Sequence, residues 1–470
     1  MNALRTAAAA CLLALSATAT SYAVEPFQPD GPSDTVTPQP VETAAPIEAA
    51  IEDGDEAEEE KGFFERKHKG YLGYMFGELE KIGELDIYGV SGQLPKGYLG
   101  FKYQWTTIKA GARFGENGTK GPVATPIEFT NSNGDKVVSI DLGLSGKGHG
   151  HNFMVSYGIS NPVDFYIELP FTFMDVKLQP NIAPVNANGD TFDPTFAKIA
   201  GYNPQTYGAN DFLFDTLPRL GRATPPTRYV GKWLLGDVNM GFSWNYQRNR
   251  YFSNSMTARV FLPTGKIQNP NNSLLFGTGP GLDTSIGGWA AGWTHGFDVR
   301  LLNKGLFGIV LSNEMTFSYG FKQKRPYPTN FMTPDPSLAA LDPASFPDLS
   351  NLEGTFSYTP GFSVDASVQL QFQIASLGVG AAYGISYSQT PWLDGDRDFL
   401  SMAKSLELIG QSSQQILQLG ATLSLLPFVP ASIGFSWQKA VKGNNAIVFD
   451  DYFQITVQAF APLYKLWTKE

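Results

Sequence analysis

Strict alternation of apolar and polar residues is the dominant pattern in this chain. From Phe356 to Ile374 every second residue is apolar or proline, and the residues between them are small or polar. Successive side chains on a β-strand point to opposite faces, so such a segment is apolar on one face and polar on the other. The pattern predicts strands longer than the ~5–6 residues usual in soluble proteins. The same alternation recurs at 99–106, 165–173, 238–247 and 417–425.

Long strands of this kind favour a membrane-spanning barrel over a soluble sandwich. An apolar outer face suits lipid, a polar inner face suits water, and closing the sheet leaves no unpaired edge in hydrocarbon. We therefore predict an all-β, antiparallel, up-and-down transmembrane β-barrel of about twelve strands, with fourteen as the alternative if 63–96 adds two. The predicted strands are 97–112, 137–160, 164–178, 233–249, 254–264, 284–302, 305–321, 354–374, 376–390, 411–426, 430–441 and 448–460.

The connections between these strands alternate between short and long. In outer-membrane barrels the periplasmic turns are short and the extracellular loops are long. The pattern therefore predicts a barrel in the outer membrane of a Gram-negative bacterium, with both termini in the periplasm and long extracellular loops. The predicted long loops are 113–136, 179–232, 265–283, 322–353, 391–410 and 442–447.

Two segments fit the pattern less well. In the second strand the outward register changes between Leu144 and Phe153, and a one-residue bulge within Gly146–Gly150 would reconcile its two halves. The other segment, 63–96, has apolar residues at helical spacing, which indicates a plug in the lumen or a helix at the inner rim.

The N-terminus has the features of an export signal. An arginine precedes a short apolar run, and the run ends in small residues that predict cleavage after Ala23. The next segment, 24–62, is acidic and proline-rich, and we expect it to be disordered in the periplasm because it buries too little apolar surface. Cleavage would remove Cys11, which is the one cysteine of the chain, so neither a disulfide nor a cysteine metal site is expected.

The formal net charge of −10 resides in that acidic segment. Residues 24–61 carry −11 and residues 1–23 carry +1, so the charges of residues 62–470 sum to zero. The predicted barrel, 97–461, and the short periplasmic tail, 462–470, are therefore nearly neutral. No nucleic-acid partner is expected on these grounds.

Histidine chemistry is the main alternative to a channel without catalytic activity. His149 and His151 are two residues apart and could share one strand face as metal ligands, but no acidic residue is fixed beside them. An outer-membrane phospholipase would need a His-x-Ser arrangement, which His149, His151 and His295 lack. We expect no catalytic residue, no metal and no cofactor, and the protein is not predicted to be an enzyme.

The residue set most informative about function faces the lumen. Inward charges are tolerated because the lumen is wet or because the groups pair. Such charges either brace the wall or form a constriction through which a substrate passes. By strand parity this set consists of Lys102, Glu168, Asp237, Arg259, Asp298, Arg300, Glu314 and Asp365, together with the uncharged Gln369, Gln371 and Gln373.

Aromatic residues in two long, proline-rich loops form a second candidate set. Long loops of this kind are often lids or binding loops, and aromatic side chains there could form an apolar capture pocket. The alternative is that they only cap the barrel. The candidate capture residues are Phe196, Tyr202, Phe212, Phe214, Tyr327 and Phe331.

Three stretches resemble an outer-membrane family named for the meta-pathway of phenol degradation. They are 155–170 (VSYGISNPVDFYIELP), Gly236-Asp237-Val238, and Leu262-Pro263-Thr264-Gly265-Lys266 followed by 275–279 (LFGTG). The resemblance covers roughly 150–300, and the Asn-Pro turn replaces a pair that is more often charged in the family. It implies a channel for aromatic or other hydrophobic compounds, similar in role to long-chain fatty-acid transporters.

The first functional hypothesis is passive uptake of small hydrophobic or aromatic compounds, captured by the loops and released through the lumen or a lateral gap. The second is a surface barrel that transports nothing and whose loops bind a partner; an outer-membrane hydrolase comes third. Expected partners are outer-membrane lipid, a small hydrophobic or aromatic ligand, and the barrel-assembly machinery.

Overall fold

The computed structural model describes most of the chain from residue 94 onward. The predicted signal peptide, the acidic segment and all but the end of the predicted plug lie outside the described residues, as does Phe196. The described residues are 94–124, 126–130, 136–183, 198, 201–203, 206–221, 228–230, 232–249, 251–267, 270–272, 287–304, 307–338, 348–405, 411–425 and 429–463.

Twelve antiparallel strands form one closed barrel, which confirms the predicted fold. Each strand pairs with its neighbours along the chain, and the last strand pairs with the first from Tyr98↔Pro462 to Thr107↔Phe453. The strands are β1 Tyr98–Phe114, β2 Ser145–Ser160, β3 Val163–Lys177, β4 Val238–Arg248, β5 Phe252–Leu262, β6 Ala290–Lys304, β7 Phe307–Gly320, β8 Gly361–Ile374, β9 Leu377–Ser388, β10 Ser412–Ser424, β11 Ala431–Asn444 and β12 Tyr452–Pro462.

The outer face of the barrel is apolar. Large side chains that alternate along the strands are exposed there, among them Phe101 (42% exposed), Phe372 (48%) and Phe435 (57%). A continuous apolar band around a closed barrel is the surface that membrane hydrocarbon covers. The alternation in the sequence thus reflects lipid outside and a polar lumen inside.

Short and long connections alternate around the ring as predicted. Turns such as Asn161-Pro162 and Ala375-Ser376 join strands at one end, which we call the short-turn end; Ala375 adopts a positive φ of 53° there. The loops between β1 and β2, β3 and β4, and β7 and β8 lie at the opposite, long-loop end. The described chain ends, Leu94 and Leu463, lie at the short-turn end beside Gly97 and Gly158.

The loops contain short helices and short strands. The segment 209–219 is helical, with a π-helical middle at Phe212–Thr216, and Arg397–Ser405 is an α-helix. No helix among the described residues is long and apolar enough to cross a membrane. The short strands are Lys120–Gly121, Ile127–Thr130, Lys136–Asp141, Asn181–Ala183, Arg228–Val230, Leu234–Leu235, Gln323–Pro326, Thr355–Thr359, Trp392–Asp394 and Ala446–Phe449, and 3₁₀ turns occur at Pro270–Asn272 and Pro336–Leu338.

The predicted bulge in the second strand is wrong. The pairing of β1 with β2 continues without a shift from Leu99↔Tyr157 to Ala110↔Gly146. The register changes instead at Gly143, whose φ is +55° and where a Cβ would overlap the Gln179 carbonyl. The preceding strand, Lys136–Asp141, belongs to a separate sheet with Ile127–Thr130 and Asn181–Ala183.

The predicted strand 354–374 is also two strands rather than one. Thr355–Thr359 pairs with Gln323–Pro326 and Trp392–Asp394 in a small sheet built from the loops. Gly361, with a φ of +82°, opens β8 after Pro360. The proline lacks a backbone N–H, so it suits a break between two sheets.

Candidate functional site

The chain segment before β1 lies against the lumen face at the short-turn end. The backbone N–H of Leu94 donates to Oδ2 of Asp164 at 3.3 Å, and the Leu94 side chain packs over Gly100. Gly158, also on the inward face, would clash with the Pro95 carbonyl if it carried a Cβ. The last residues of the predicted plug thus occupy part of the lumen. The rest of that plug lies outside the described residues and stays a prediction.

Lys102 and Glu314 interact across the lumen. Lys102 lies on β1 and Glu314 on β7, which are opposite each other in the ring of twelve strands. Lys102 is nevertheless close enough to interact electrostatically with both Glu314 and Glu168. Charged side chains from opposite walls are therefore within electrostatic range of each other inside the barrel.

Glu314 also lies near charged side chains on strands of its own side of the barrel. Arg259, Asp298 and Asp365 all lie within range of electrostatic interaction with it. We call this group, completed by Lys102 and Glu168, the charge cluster. Six of the eight lumen charges predicted from strand parity thus come together.

Hydrogen bonds from neutral side chains hold the charge cluster in place. Asn239 Nδ2 donates to Glu168 Oε2 at 2.7 Å, and the Ser312 hydroxyl donates to Asp298 Oδ1 at 2.5 Å. Arg259 Nη2 reaches the Thr316 hydroxyl at 3.3 Å. The cluster is therefore fixed by its wall, as a bracing network would be.

Asp237 and Arg300 lie outside the charge cluster. Asp237 precedes β4 and accepts the backbone N–H of Gly265 at 3.0 Å, which fixes the loop after β5. Arg300 Nη1 donates to the Asn249 carbonyl at 3.2 Å in the β4–β5 turn. Both lie at or just beyond strand ends and anchor connections.

The other half of the lumen holds a polar cavity of about 230 Å³. Its wall is formed by β8 to β12 together with β1, and Lys102 is the one charged side chain among the described residues that line it. Six glutamines line it: Gln104, Gln369, Gln371, Gln418, Gln454 and Gln458. The cavity therefore presents hydrogen-bonding but mostly uncharged groups.

Small residues create the space for this cavity. The inward positions of β9 include Gly378, Gly380 and Ala382, which pair with Gln373, Gln371 and Gln369 on β8. A narrow barrel is readily filled by its own side chains. The cavity thus lies over β9, whose inward positions carry almost no side-chain volume.

Sequence reasoning missed part of this cavity. Inward parity identified the glutamines of β8, but Gln454 and Gln458 were not singled out, although they alternate with Ile455 and Val457 on β12. The run of glycine and alanine at alternate positions of β9 was the available signal. This pattern indicates where the lumen is unfilled, but it does not indicate which polar groups line the cavity.

Loop residues pack into an apolar cluster at the long-loop end, which we call the loop cap. Phe212 is fully buried in it and Tyr202 packs against it. The inward-facing Met174 and Val176 of β3 contact the same cluster, so the loop cap covers part of the lumen mouth. Phe214 is 47% exposed on the cap surface.

Two polar contacts stabilise the loop cap and join it to the next loop. Burial raises the pKa of the Tyr207 hydroxyl, which lies 3.0 Å from the Thr216 hydroxyl. Asp335 binds Arg219 Nη2 at 3.0 Å, and the Ser337 hydroxyl and backbone N–H, followed by Arg219, lower the pKa of Asp335. The loops after β3 and β7 are therefore tied together.

Tyr327 and Phe331 lie in a second loop cluster. Tyr327 contacts Phe356 and Phe399, with ring centroids at 5.4 and 4.9 Å, and Phe331 is buried beside them. The backbone N–H of Asp396 donates to the Tyr327 hydroxyl at 2.6 Å. Of the predicted capture residues that the structure describes, Phe214 is the most exposed.

The histidines described by the structure lie on the outer face. His151 Nδ1 is 2.7 Å from the Tyr103 hydroxyl, and His295 Nε2 is 2.8 Å from the Tyr246 hydroxyl. His149 packs against Phe173. Within the described ranges no group of three or more potential metal ligands occurs. The hydrolase and metal alternatives gain no support from this arrangement.

No protein-family model and no curated protein matches this sequence. Among solved structures, the chain is similar to an outer-membrane channel from Pseudomonas putida F1, with a TM-score of 0.44 and 10% identity over 79% of this chain and 98% of that one. It is also similar to the β-domain of a Bordetella autotransporter (TM-score 0.33, 9% identity, 77% and 99% covered).

A toluene transporter from Ralstonia pickettii is a further similar structure, with a TM-score of 0.29 and 8% identity over 78% of this chain and 90% of that one.

Proposed function

We propose that this protein is an outer-membrane channel for passive uptake of small hydrophobic or aromatic compounds, with both termini in the periplasm. The supporting observation is the cavity beside the charge cluster, because its lining is polar and almost uncharged. A neutral compound enters such a space without the desolvation cost that an ion would incur.

The lining of the cavity also suits a channel, which must release its permeant, better than a tight binding pocket. A channel must bind its permeant weakly enough to release it. Glutamine, serine and threonine side chains offer an aromatic compound no apolar pocket in which to remain. The charge cluster narrows the remaining cross-section, so large solutes are excluded.

The loop cap would form the entrance of this channel. It contacts the inward side chains Met174 and Val176, and Phe214 is exposed on its surface. Apolar compounds would first meet Phe214 and then pass beside the cap. Lipid would cover the outer apolar band, and the barrel-assembly machinery would insert the chain.

Uptake by matched cells with and without the gene tests the proposal. Labelled toluene should enter faster in cells that carry the protein, whereas benzoate, a charged compound of similar size, should not. The barrel must be verified in the outer membrane of the cells by its heat-modifiable gel mobility. Equal toluene entry in both strains would contradict the channel.

Equal entry would instead favour a surface barrel whose loops bind a partner. The observation behind that alternative is the packing of the loops into two apolar clusters with exposed side chains such as Met332 (51% exposed) and Trp392 (56%). Ordered loops of this kind would offer a fixed binding surface.

A further inference from the structure

Four basic side chains lie close together on the outer face of the barrel, near the long-loop end. Lys109 on β1 is directly opposite Lys147 on β2, and Lys147 is directly opposite Asp175 on β3. These three residues share the outward parity of the exposed Phe101 and Val155. At the next outward position of β3, Lys177 pairs with Arg228. We call the four basic residues the cation row: Lys109, Lys147, Lys177 and Arg228.

The acidic neighbours of the cation row are bound by two of its members. Arg228 Nε and Nη2 donate to Oδ1 and Oδ2 of Asp175 at 2.9 and 2.8 Å. Lys109 Nζ donates to Asp451 Oδ2 at 2.8 Å. Four basic groups therefore share two carboxylates, which leaves an excess of positive charge.

Lys147 and Lys177 carry this excess. Both are exposed, and neither forms an ion pair with the residues that the structure describes. Lys147 also faces Lys109 directly, with about 5 Å between their Cβ atoms, and like charges in that arrangement destabilise a sheet. Lys439 and Asp450, at the β12 side of the row, add one charge of each sign and leave the excess unchanged. A bound anion would offset the repulsion.

The cation row lies at the edge of the apolar outer surface. Lys147 is ten residues from Tyr157, an outward residue near the short-turn end. At about 3.3 Å per residue and a strand tilt of about 40°, this separation is about 25 Å along the barrel axis. The apolar band of outer-membrane barrels is about 25 Å tall. The row is therefore level with the lipid headgroups at the long-loop end.

Aromatic side chains lie beside the row on its hydrocarbon side. His149 packs against Phe173 with ring centroids 6.1 Å apart. Trp233, which is 48% exposed, lies 5.6 Å from Phe173 and 4.6 Å from His151. A ligand at the row would thus contact cations at one end and an aromatic surface at the other. A lipid has groups for both contacts, whereas a free anion has groups for only one.

We propose that the cation row binds the headgroup phosphate of an anionic lipid in the outer leaflet. Phosphate oxygens accept charge-assisted hydrogen bonds from lysine and arginine, and their negative charge complements the excess at Lys147 and Lys177. The acyl chains would extend along the strands over His149 and Phe173. The site depends on the proposed orientation, with the long-loop end outside the cell, but it does not depend on transport.

Binding of lipid A, a phosphorylated lipid of the outer leaflet, to the purified protein in detergent micelles tests the proposal. Native mass spectrometry gives the fraction of protein with bound lipid at each lipid concentration, and hence the dissociation constant. A basic residue at an anionic membrane surface strengthens binding by about fivefold. Lys147→Gln and Lys177→Gln should each weaken binding by about fivefold, and the double variant by about twenty-five-fold.

Lys324→Gln is the matched control. Lys324 is also exposed and forms no ion pair with described residues, but it follows β7, on the opposite side of the ring from β1. The substitution removes the same charge, so a general electrostatic effect would weaken binding equally. Heat-modifiable gel mobility shows whether each variant retains the folded barrel.

Unchanged binding in the folded double variant, or an equal loss in Lys324→Gln, would overturn the site. Inorganic phosphate at the same concentration should not displace lipid A; displacement would indicate a site for free anions and overturn the lipid.

The orientation is tested separately with Lys324→Cys. A membrane-impermeant maleimide should label this variant on intact cells as well as after lysis. Labelling only after lysis would overturn the outer-leaflet placement. These measurements involve no uptake, so a failure of the channel proposal is recognised independently.

Discussion

Phe212→Ala should loosen the loop cap while leaving the barrel intact. Phe212 is fully buried, and its cluster contains loop residues together with the lumen-facing rim of β3. Truncating a buried phenylalanine to alanine typically costs about 3–5 kcal/mol, from lost burial and the cavity that remains. The β-ladder of the barrel is hydrogen-bonded separately, so the cost should stay local.

This magnitude sets the size of the expected signal. At about 1.4 kcal/mol per tenfold, the opening equilibrium of the loop cap should rise by roughly a hundredfold to a few thousandfold. Hydrogen exchange of backbone amides reports such local opening. The amides of Phe212 and Leu220, which donate to Gly208 and Thr216, should exchange faster by about that factor if the cap opens as a unit.

Phe214→Ala provides the control for the same segment. Phe214 is two residues away but 47% exposed, so its truncation should change local stability by no more than about 0.5 kcal/mol. Amides of β9 should be unaffected in both variants. Unchanged exchange in Phe212→Ala, or an equal effect of Phe214→Ala, would refute the packed loop cap.

Three further predictions concern the lumen and its rim. Ala382→Phe should fill the cavity and lower protein-dependent toluene uptake several-fold, whereas Val379→Phe, at an exposed position on the outer face of the same strand, should not; equal uptake in both variants would place the route elsewhere. Lys102→Gln removes a positive charge beside two carboxylates, so the reversal potential across a planar bilayer should move towards cation selectivity. An unchanged reversal potential would argue that ions do not pass Lys102. Gly143→Ala should lower the stability of its loop sheet by about 1–3 kcal/mol, because residue 143 has a φ of +55°; thermal unfolding checks this against Gly121→Ala, where a Cβ meets no atom within 4 Å.

The twelve barrel strands could be predicted from alternation. Alternation did not show where a strand leaves the barrel and joins a small sheet built from the loops. Val138 and Ile140 keep the two-residue period and are fully buried, yet they face the loop cap rather than lipid. Phe356 likewise continues the period of β8 while packing with Tyr327 in the second loop cluster. A period of two indicates an amphipathic strand and says nothing about what covers its apolar face.

Strand parity predicts which side chains face the lumen, but it does not predict which of them lie close together. Parity gave the inward direction of Lys102 and Glu314, but their interaction depends on closure of the ring, which brings strands six apart to opposite walls. Asp237 and Arg300 have the same parity in the sequence, but they lie near strand ends and anchor connections. Position along the barrel axis is the information that a single sequence lacks.

The two halves of the lumen differ because one carries the charge cluster and the other contains the small inward residues of β9. β3 to β8 contribute most of the charge cluster, namely the carboxylates of Glu168, Asp298, Glu314 and Asp365 and the guanidinium of Arg259. β9 contributes Gly378, Gly380 and Ala382, which leave the space that charged side chains would otherwise fill. An ion entering that space finds no fixed partner except Lys102, whose charge already interacts with Glu168 and Glu314. For the proposed channel, the cavity therefore offers a permeating ion little fixed charge to bind, and the small inward residues of β9 set the size of the compound that passes.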